Sequence, residues 1–451
     1  MKDYKALTRF IKAGPRYTSY PTAVEFSSNF TYEDYIKSLA SQKNDLSLYV
    51  HLPFCRSACY FCGCNVIYTA KEESKTRYLD FLFKELELLQ NFTDTKRKVI
   101  QLHFGGGTPT FFSAKQLDSI IKKIKSIFVN FDEKAELSCE IDPRFLNEEQ
   151  ADILSKEGFK RISFGVQDFD EKVQKEIHRI QSFELTKKAV ELVRSKGVES
   201  VNIDLIYGLP FQNFESFSKT LDKALLLNPD RLAIFNYAHV PWLKKNMRKF
   251  DENTLPNASV KLQILEYCEK FLLKNSYEMI GMDHFAKKDD ELFKALKDGS
   301  LHRNFQGYTT KGGANLLGIG LTSIGEGKRY YAQNYKDMKN YEEAISNSRL
   351  PFEKGIYLSD DDMLRKEVIM SLMSNFALDI QSIEEKFNID FFEYFAESLK
   401  ELKEYKDFYN ISDKKIIVNE TGVLLIRNIA MCFDAYMKNI SDDKKVFSKT
   451  V

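Results

Sequence analysis

Between Leu46 and Ala238 short apolar, β-branched runs alternate with longer amphipathic stretches, and this alternation restricts the fold more than any other feature. The strand candidates are Ser47–Leu52, Val99–Phe104, Glu136–Ile141, Arg161–Val166, Ser200–Tyr207 and Arg231–Tyr237. Between them lie helix-period segments such as Tyr78–Leu89, Leu117–Phe128, Leu185–Lys196 and Phe214–Leu227. Parallel neighbours need a crossover of a dozen or more residues, and these spacings supply one each time. Most of these strands carry a candidate functional residue at their C-terminal end: His51, Gly105, Glu140, Gln167, Asp204 and Ala238. Barrel enzymes build their sites along that edge. The predicted fold is α/β, a partial (β/α)6 barrel.

With 451 residues the chain exceeds one ordinary core. The expected division is a segment over 1–45, a catalytic domain over 46–354, and a smaller, mostly α-helical C-terminal domain over 355–451. The first segment holds Gly14-Pro-Arg-Tyr-Thr-Ser-Tyr-Pro-Thr22, too rich in proline and aromatics for a helix interior. Beyond residue 355, Asp360–Ser374 and Ile380–Lys403 read as helices, Ile416–Asn419 as a short strand, and Gly422 onward as a further helix through Met437. Lys+Arg and Asp+Glu nearly cancel, for a net charge of +1, so neither nucleic acid nor an anionic membrane is an expected partner. No apolar leader opens the sequence and no run is long enough to span a bilayer. A cytoplasmic location with reduced thiols is expected.

Four of the seven cysteines fall within ten residues, in His51-Leu-Pro-Phe-Cys55-Arg-Ser-Ala-Cys59-Tyr-Phe-Cys62-Gly-Cys64. So uneven a distribution, with an odd count, does not read as a disulfide framework. The C-x3-C-x2-C spacing lets one loop bring Cys55, Cys59 and Cys62 around a single centre. With three protein thiolates a [4Fe–4S] cluster keeps one of its four irons open. That iron is free to chelate S-adenosylmethionine. Zinc prefers paired C-x2–4-C units from separate segments, and the second pair is missing. Cys64 is a candidate fourth ligand, but its position two residues after Cys62 is awkward for a cuboidal cluster, so it reads as a non-ligand. The radical chemistry of such a cluster outweighs structural zinc or simple electron transfer.

Gly105-Gly-Gly-Thr108-Pro-Thr110 follows the second strand directly. Consecutive glycines let backbone amides approach a ligand, here the methionine moiety. The stretch lacks the G-x4-G-K spacing of a phosphate-binding P-loop. One βα unit after the cysteines, it supports the same reading.

The cysteine loop, the glycine loop and the strand order resemble radical S-adenosylmethionine proteins. The resemblance narrows through Cys62-Gly-Cys64, the Gly14–Thr22 segment, Glu140-Ile-Asp-Pro-Arg144, Gly165-Val-Gln-Asp-Phe169 and Asp204-Leu-Ile-Tyr-Gly-Leu-Pro210. Gly281-Met-Asp-His-Phe285 and Asn304-Phe-Gln-Gly-Tyr-Thr-Thr310 add to it. Nearly end to end, the chain resembles the oxygen-independent coproporphyrinogen III oxidase family.

The resemblance implies a partial (β/α)6 barrel, an N-terminal segment closing the site and a helical C-terminal domain. It implies conversion of two propionates of coproporphyrinogen III to vinyl groups, each with loss of CO2 and use of one S-adenosylmethionine. A 5′-deoxyadenosyl radical takes hydrogen from the propionate β-carbon; a low-potential electron donor and an electron acceptor complete the set of partners. A monomer is expected. Cys55, Cys59 and Cys62 are the implied cluster ligands. Tyr49, Gly106, Glu140 and Ile324 match the family's contacts to a cluster-bound S-adenosylmethionine. Phe61, Gly107, Thr108, Gln167, Arg179, Asp204 and Ala238 match contacts to a second molecule of it. Cys64, shared with the family, is assigned a catalytic place on the substrate side of the cluster.

Read singly, these residues differ. Tyr49, Ala238 and Ile324 are equally compatible with plain core packing. Asp204 interrupts an apolar strand, where an unpartnered carboxylate is costly, so a functional role is favoured. Arg179 lies in a polar stretch where a solvated arginine is the default. Arg16, His302 and Arg303 are candidates for pairing with substrate carboxylates, or else surface and loop anchors. Two stretches depart from the family pattern, Lys311-Gly-Gly313 and Gly325-Glu-Gly-Lys328. The competing functions are a haem-binding chaperone and a haem-degrading radical relative. The first generally lacks a cysteine like Cys64 and the Gly14–Thr22 segment; the full-length match argues against the second.

Overall fold

The computed structural model describes residues 4–439 and 447–450. Its centre is a twelve-stranded sheet. In chain order the strands are β1 (Leu46–Leu52), β2 (Val99–Gly106), β3 (Phe131–Ile141), β4 (Arg161–Gln167), β5 (Ser200–Tyr207), β6 (Arg231–Asn236), β7 (Tyr277–Gly281), β8 (His284–Lys287), β9 (Asn315–Ile319), β10 (Ile324–Glu326), β11 (Tyr330–Asn334) and β12 (Phe352–Tyr357). They lie in the order β12-β11-β10-β9-β1-β2-β3-β4-β5-β6-β8-β7. Strands β1 to β6 are parallel and in sequence order, as expected for successive right-handed βα units. Strand β9 adds a further parallel neighbour outside β1, while β10, β11 and β12 on one flank and β7 and β8 on the other run antiparallel. A hairpin of His302–Asn304 with Gly307–Thr309 leads into β9 in place of a crossover helix, so the strand falls outside the repeat read from the sequence.

Strands β4 and β5 bury one face under helices and turn the other inward. In β4 Ile162, Phe164 and Val166 are buried while Arg161, Ser163, Gly165 and Gln167 are only partly covered. Strand β5 repeats the pattern, with Val201, Ile203, Leu205 and Tyr207 packed outward and Asn202 and Asp204 turned to the interior. A period of two therefore sorts the core from the site. The outer layer is built by helices with clear start signals. The helix Ala114–Ile127 opens on a capping box of Ser113 with Gln116 and buries Leu117, Ile120, Ile121, Ile124 and Ile127. Each such side chain contributes about 1.5–3 kcal/mol, so an aspartate at Ile121 would undo the contact. Asn147 with Gln150, and Asn213 with Ser216, box the starts of Glu148–Lys156 and Phe214–Leu226 in the same way.

The C-terminal part has its own core, formed by Asp360–Asn375, shorter helices and a three-stranded sheet. Where one helix was expected over 380–403, the chain breaks into Ile380–Phe387, Phe391–Tyr394 and Ala396–Leu402. Asn388 takes a left-handed conformation at φ 52° and Asp390 caps the next helix, which together end the first one. The expected helix from Gly422 to Met437 is likewise a 3-10 turn, a helix over Ile426–Met431 and a second turn. The N-terminal segment is sewn into this core. Tyr4, Leu7, Phe10, Tyr17 and Tyr20 pack among Leu364, Val368, Leu372 and Ile429. Tyr17 donates to Asp434 at 2.8 Å, and the Tyr20 hydroxyl accepts from the backbone of Ala435 at 3.1 Å. Among the described residues no helix is long and apolar enough to cross a membrane.

Candidate active site

The inner faces of β2 to β6 and the cysteine loop enclose a cavity of about 390 Å³. The cysteine loop leaves β1 and is pinned from three sides. The Asn246 amide donates to the carbonyl oxygens of Cys59, Tyr60 and Cys62 at 3.1, 3.3 and 3.0 Å. Lys244 Nζ donates to the Cys64 carbonyl at 2.9 Å. On the other flank His178 bonds the Ala58 carbonyl at 2.8 Å and stacks on Tyr60 at 5.0 Å. Neither Asn246 nor His178 was singled out from the sequence, because a carbonyl-binding amide more than 180 residues from its partners leaves no pattern.

Cys55, Cys59, Cys62 and Cys64 all line the cavity. Among the described residues no three His, Cys, Asp or Glu side chains converge tightly enough for a single metal ion. The site's charge suits a cluster: one held by thiolates is anionic, and two guanidiniums face one sulfur. Arg179 Nη1 lies 3.6 Å, and Arg144 Nη2 3.9 Å, from Cys59 Sγ. Thr108 Oγ1 is 3.8 Å from Cys55 Sγ. Asp142 orients both arginines, at 2.9 Å from Arg179 and 2.7 Å from Arg144. The Cys64 thiol hydrogen-bonds to Cys62, which holds the Cys62 thiol below its ordinary range despite burial.

The glycine loop is tight for steric reasons. A side chain on Gly107 would meet the Phe54 carbonyl oxygen at 2.6 Å, and one on Gly106 (φ 111°) would strike the His51 ring at 2.6 Å. His51 is wedged between the Tyr49 hydroxyl and the Asn65 carbonyl, both at 3.0 Å, and burial lowers its pKa to about 4. It is a neutral strut at neutral pH.

Across the cavity Glu140 Oε1 lies 3.4 Å from His103 Nε2. Burial raises its pKa, but the His103 contact and the Gly106 backbone N–H outweigh this, and the net shift is downward. Asp204 behaves oppositely. Burial and the Glu140 charge push it up to about 7, although Ser163 (3.0 Å) and Asn202 (2.7 Å) donate to it. The site thus holds one ionised carboxylate and one poised near neutrality.

Of the residues singled out from the sequence, Phe61, Gly106, Gly107, Thr108, Glu140, Gln167, Arg179 and Asp204 line the cavity with the four cysteines. Arg179 is buried, not the solvated arginine its polar neighbourhood suggests. Tyr49, Ala238 and Ile324 stand off the wall. Tyr49 stacks on His103 at 5.9 Å, behind the glycine loop. It pairs with Gly318 across β1 and β9, and a side chain at Gly318 would meet the Ile324 backbone at 2.7 Å, so that glycine lets the β10 backbone pack close on β9. Ala238 lies two residues beyond the end of β6. His302 is exposed and its ring sits against Gly312, away from the cavity. The two departing stretches do not line it either: Glu326 is engaged by Lys366 at 2.6 Å in a separate pair.

Comparison with known proteins agrees with this geometry. Residues 49–224 match the Radical SAM superfamily and residues 358–425 the HemN C-terminal domain. The thiolate loop at the strand ends and the first of these matches define a radical S-adenosylmethionine enzyme, a class that works with a [4Fe–4S] cluster and S-adenosylmethionine. The oxygen-independent coproporphyrinogen III oxidase of Helicobacter pylori strain J99 is 55% identical across 100% of this chain and 99% of its own length. That of Escherichia coli K12 is 45% identical over 97% and 96%. The solved coproporphyrinogen III oxidase of Escherichia coli superposes with a TM-score of 0.92 at 44% identity, over 96% of this chain and 99% of that one. The chain belongs to the oxygen-independent coproporphyrinogen III oxidase family.

Proposed function

We infer that this protein oxidatively decarboxylates two propionate groups of coproporphyrinogen III to vinyl groups, giving protoporphyrinogen IX in haem biosynthesis without oxygen. The carrying observation is likeness over the whole chain, including both flanking parts, to oxidases of that name. Cys55, Cys59 and Cys62 would hold the [4Fe–4S] cluster, and three thiolates would leave one iron for S-adenosylmethionine. When bound, these groups supply a 5′-deoxyadenosyl radical for hydrogen abstraction.

The chain's own residues bind and orient. Tyr49, Gly106, Glu140 and Ile324 attend the cluster-bound S-adenosylmethionine; Phe61, Gly107, Thr108, Gln167, Arg179, Asp204 and Ala238 attend a second molecule. Glu140, ionised, is suited to an ammonium or ribose hydroxyl, and Arg179 to a carboxylate. Arg144 and Arg179 offset the negative charge at Cys59. Cys64 stands on the substrate side. A low-potential electron donor and a separate acceptor serve the enzyme, which works as a cytoplasmic monomer, with neither nucleic acid nor membrane as a partner. The test is anaerobic incubation of cluster-loaded protein with coproporphyrinogen III, S-adenosylmethionine and a reductant. Two successive losses of formic-acid equivalents (CO2 and two hydrogens) by mass are expected. Absence of vinyl products from protein with a full cluster would overturn the reading.

A further inference from the structure

Behind one wall of the cavity three arginines from distant parts of the chain gather around a single carboxylate. Arg16 comes from the N-terminal segment, Arg303 from the hairpin of His302–Asn304 with Gly307–Thr309, and Arg427 from the helix Ile426–Met431. Asp283, in the turn between β7 and β8, is their shared counter-charge, and its pKa is pulled far below the usual carboxylate range despite burial. Its two oxygens are already taken: one by His284 at 2.7 Å, the other by Arg16. Arg427 is spent on the backbone carbonyls of Gly14 and Pro15. Its pKa is lowered to about 9 by burial and by the Arg16 charge, as expected in a region of excess positive potential.

Arg303 is left over. It is 8% exposed, and among the described residues its Nε and Nη1 have no hydrogen-bond partner. A buried cation with idle donors is costly unless an anion meets it. Its guanidinium lies 4.6 Å over the ring of Tyr308, and that of Arg16 lies 5.4 Å over Phe235. Both rings line the cavity, with His284 between them at 5.2 and 5.6 Å. An apolar, aromatic wall backed by unneutralised positive charge is suited to a macrocycle carrying carboxylates on flexible arms.

We propose that Arg303, from behind the Tyr308 ring, draws one propionate carboxylate of the tetrapyrrole substrate to this wall of the cavity, in a positive field reinforced by Arg16 and Arg427. The proposal rests on the inferred decarboxylase activity and assigns a residue to its substrate recognition. The carboxylate held in this way is one that remains on the product or awaits its turn, since the reacting group must lie toward the cysteine loop.

The test measures binding of coproporphyrin III, the stable oxidised analogue, to cluster-loaded wild type and Arg303→Met by fluorescence, beside the steady-state KM for coproporphyrinogen III. Loss of this charge should weaken binding and raise this KM by about 10-fold. Iron content and the KM for S-adenosylmethionine should stay unchanged. A wild-type control is independent of the variant's folding: coproporphyrin III tetramethyl ester, which carries no charge, should bind at least tenfold more weakly than the free acid. Equal affinity for acid and ester, or unaltered binding by folded Arg303→Met, would overturn the proposal while leaving the decarboxylase reading intact. A rise confined to the KM for S-adenosylmethionine would show that the seat serves the methionine carboxylate, and would also overturn it. A cluster-loaded wild type that produced no vinyl groups would remove the underlying reading, and the proposal with it.

Discussion

Arg179 Nη1 sits 3.6 Å from the sulfur of Cys59, across 120 residues of chain. The same nitrogen reaches Asp142 at 2.9 Å, so the carboxylate fixes the guanidinium against the sulfur. A cation donating to a ligand sulfur stabilises the more negative, reduced state of a cluster. Arg179→Met should therefore make the cluster's midpoint potential more negative in an anaerobic titration followed by its magnetic spectrum. Asp142 keeps Arg144, which limits the loss of stability to about 2 kcal/mol, less than for a fully orphaned buried charge. An unchanged potential would show that the arginine only shapes the loop.

Asp204 should make stability fall with rising pH. Its folded pKa of about 7 exceeds its ordinary value of 3.8, so between these pH values the folded state holds a proton that the unfolded state has lost. Stability from this group is greatest below pH 4, declines through that window and is lowest above pH 7. Asp204→Asn removes the penalty. At pH 8 it should be more stable than the parent by about 2 kcal/mol, below the full value for so large a shift because the carboxylate faces a cavity that water enters. Urea unfolding at pH 5 and pH 8 gives the comparison. Activity should drop in the same variant while the cluster remains.

Gly107→Ala should fail for a steric reason. The added carbon would lie 2.6 Å from the Phe54 carbonyl oxygen and 2.8 Å from the Pro53 carbonyl carbon, both backbone atoms that cannot rotate aside. The end of β1 must move, at a cost of about 1–3 kcal/mol. The KM for S-adenosylmethionine should rise and the melting temperature fall together. An active, fully stable variant would mean that the loop has slack not seen here.

Cys64→Ser should separate ligand from non-ligand. Cys64 lines the cavity beside Cys55, Cys59 and Cys62, but only three thiolates leave an iron open. Iron content and the S-adenosylmethionine-induced change in the cluster's spectrum should persist, while vinyl formation falls steeply. Alanine at any of the other three should strip the cluster instead. Loss of iron in Cys64→Ser would reverse the assignment.

Much of the site could be read one residue at a time. Glu140 and Gln167 stand at strand ends and Asp204 within β5, where a period of two already faces them inward. Arg179 is different: its polar neighbours gave the impression of a surface arginine, and only the return of its loop against the cysteines buries it. His103 alternates correctly along β2, yet a histidine within an apolar strand is as often packing as function until Glu140 is seen beside it. Asp142 and Arg144 lay in a recognisable stretch, but their joint hold on Cys59 is a matter of three segments meeting.

By itself, the sequence determined the local and periodic features: six parallel strands in order, the capped helices between them, and the loop carrying four closely spaced cysteines. Those follow from side-chain alternation, capping residues and spacing, which act over a few residues and are written in order along the chain. Tertiary structure alone decided the parallel strand β9 outside β1, the burial of the N-terminal segment in the C-terminal core, and the gathering of Arg16, Arg303 and Arg427 around Asp283. Each of these joins segments hundreds of residues apart. Their energies come from close packing and from charges held away from water, neither of which depends on separation in sequence.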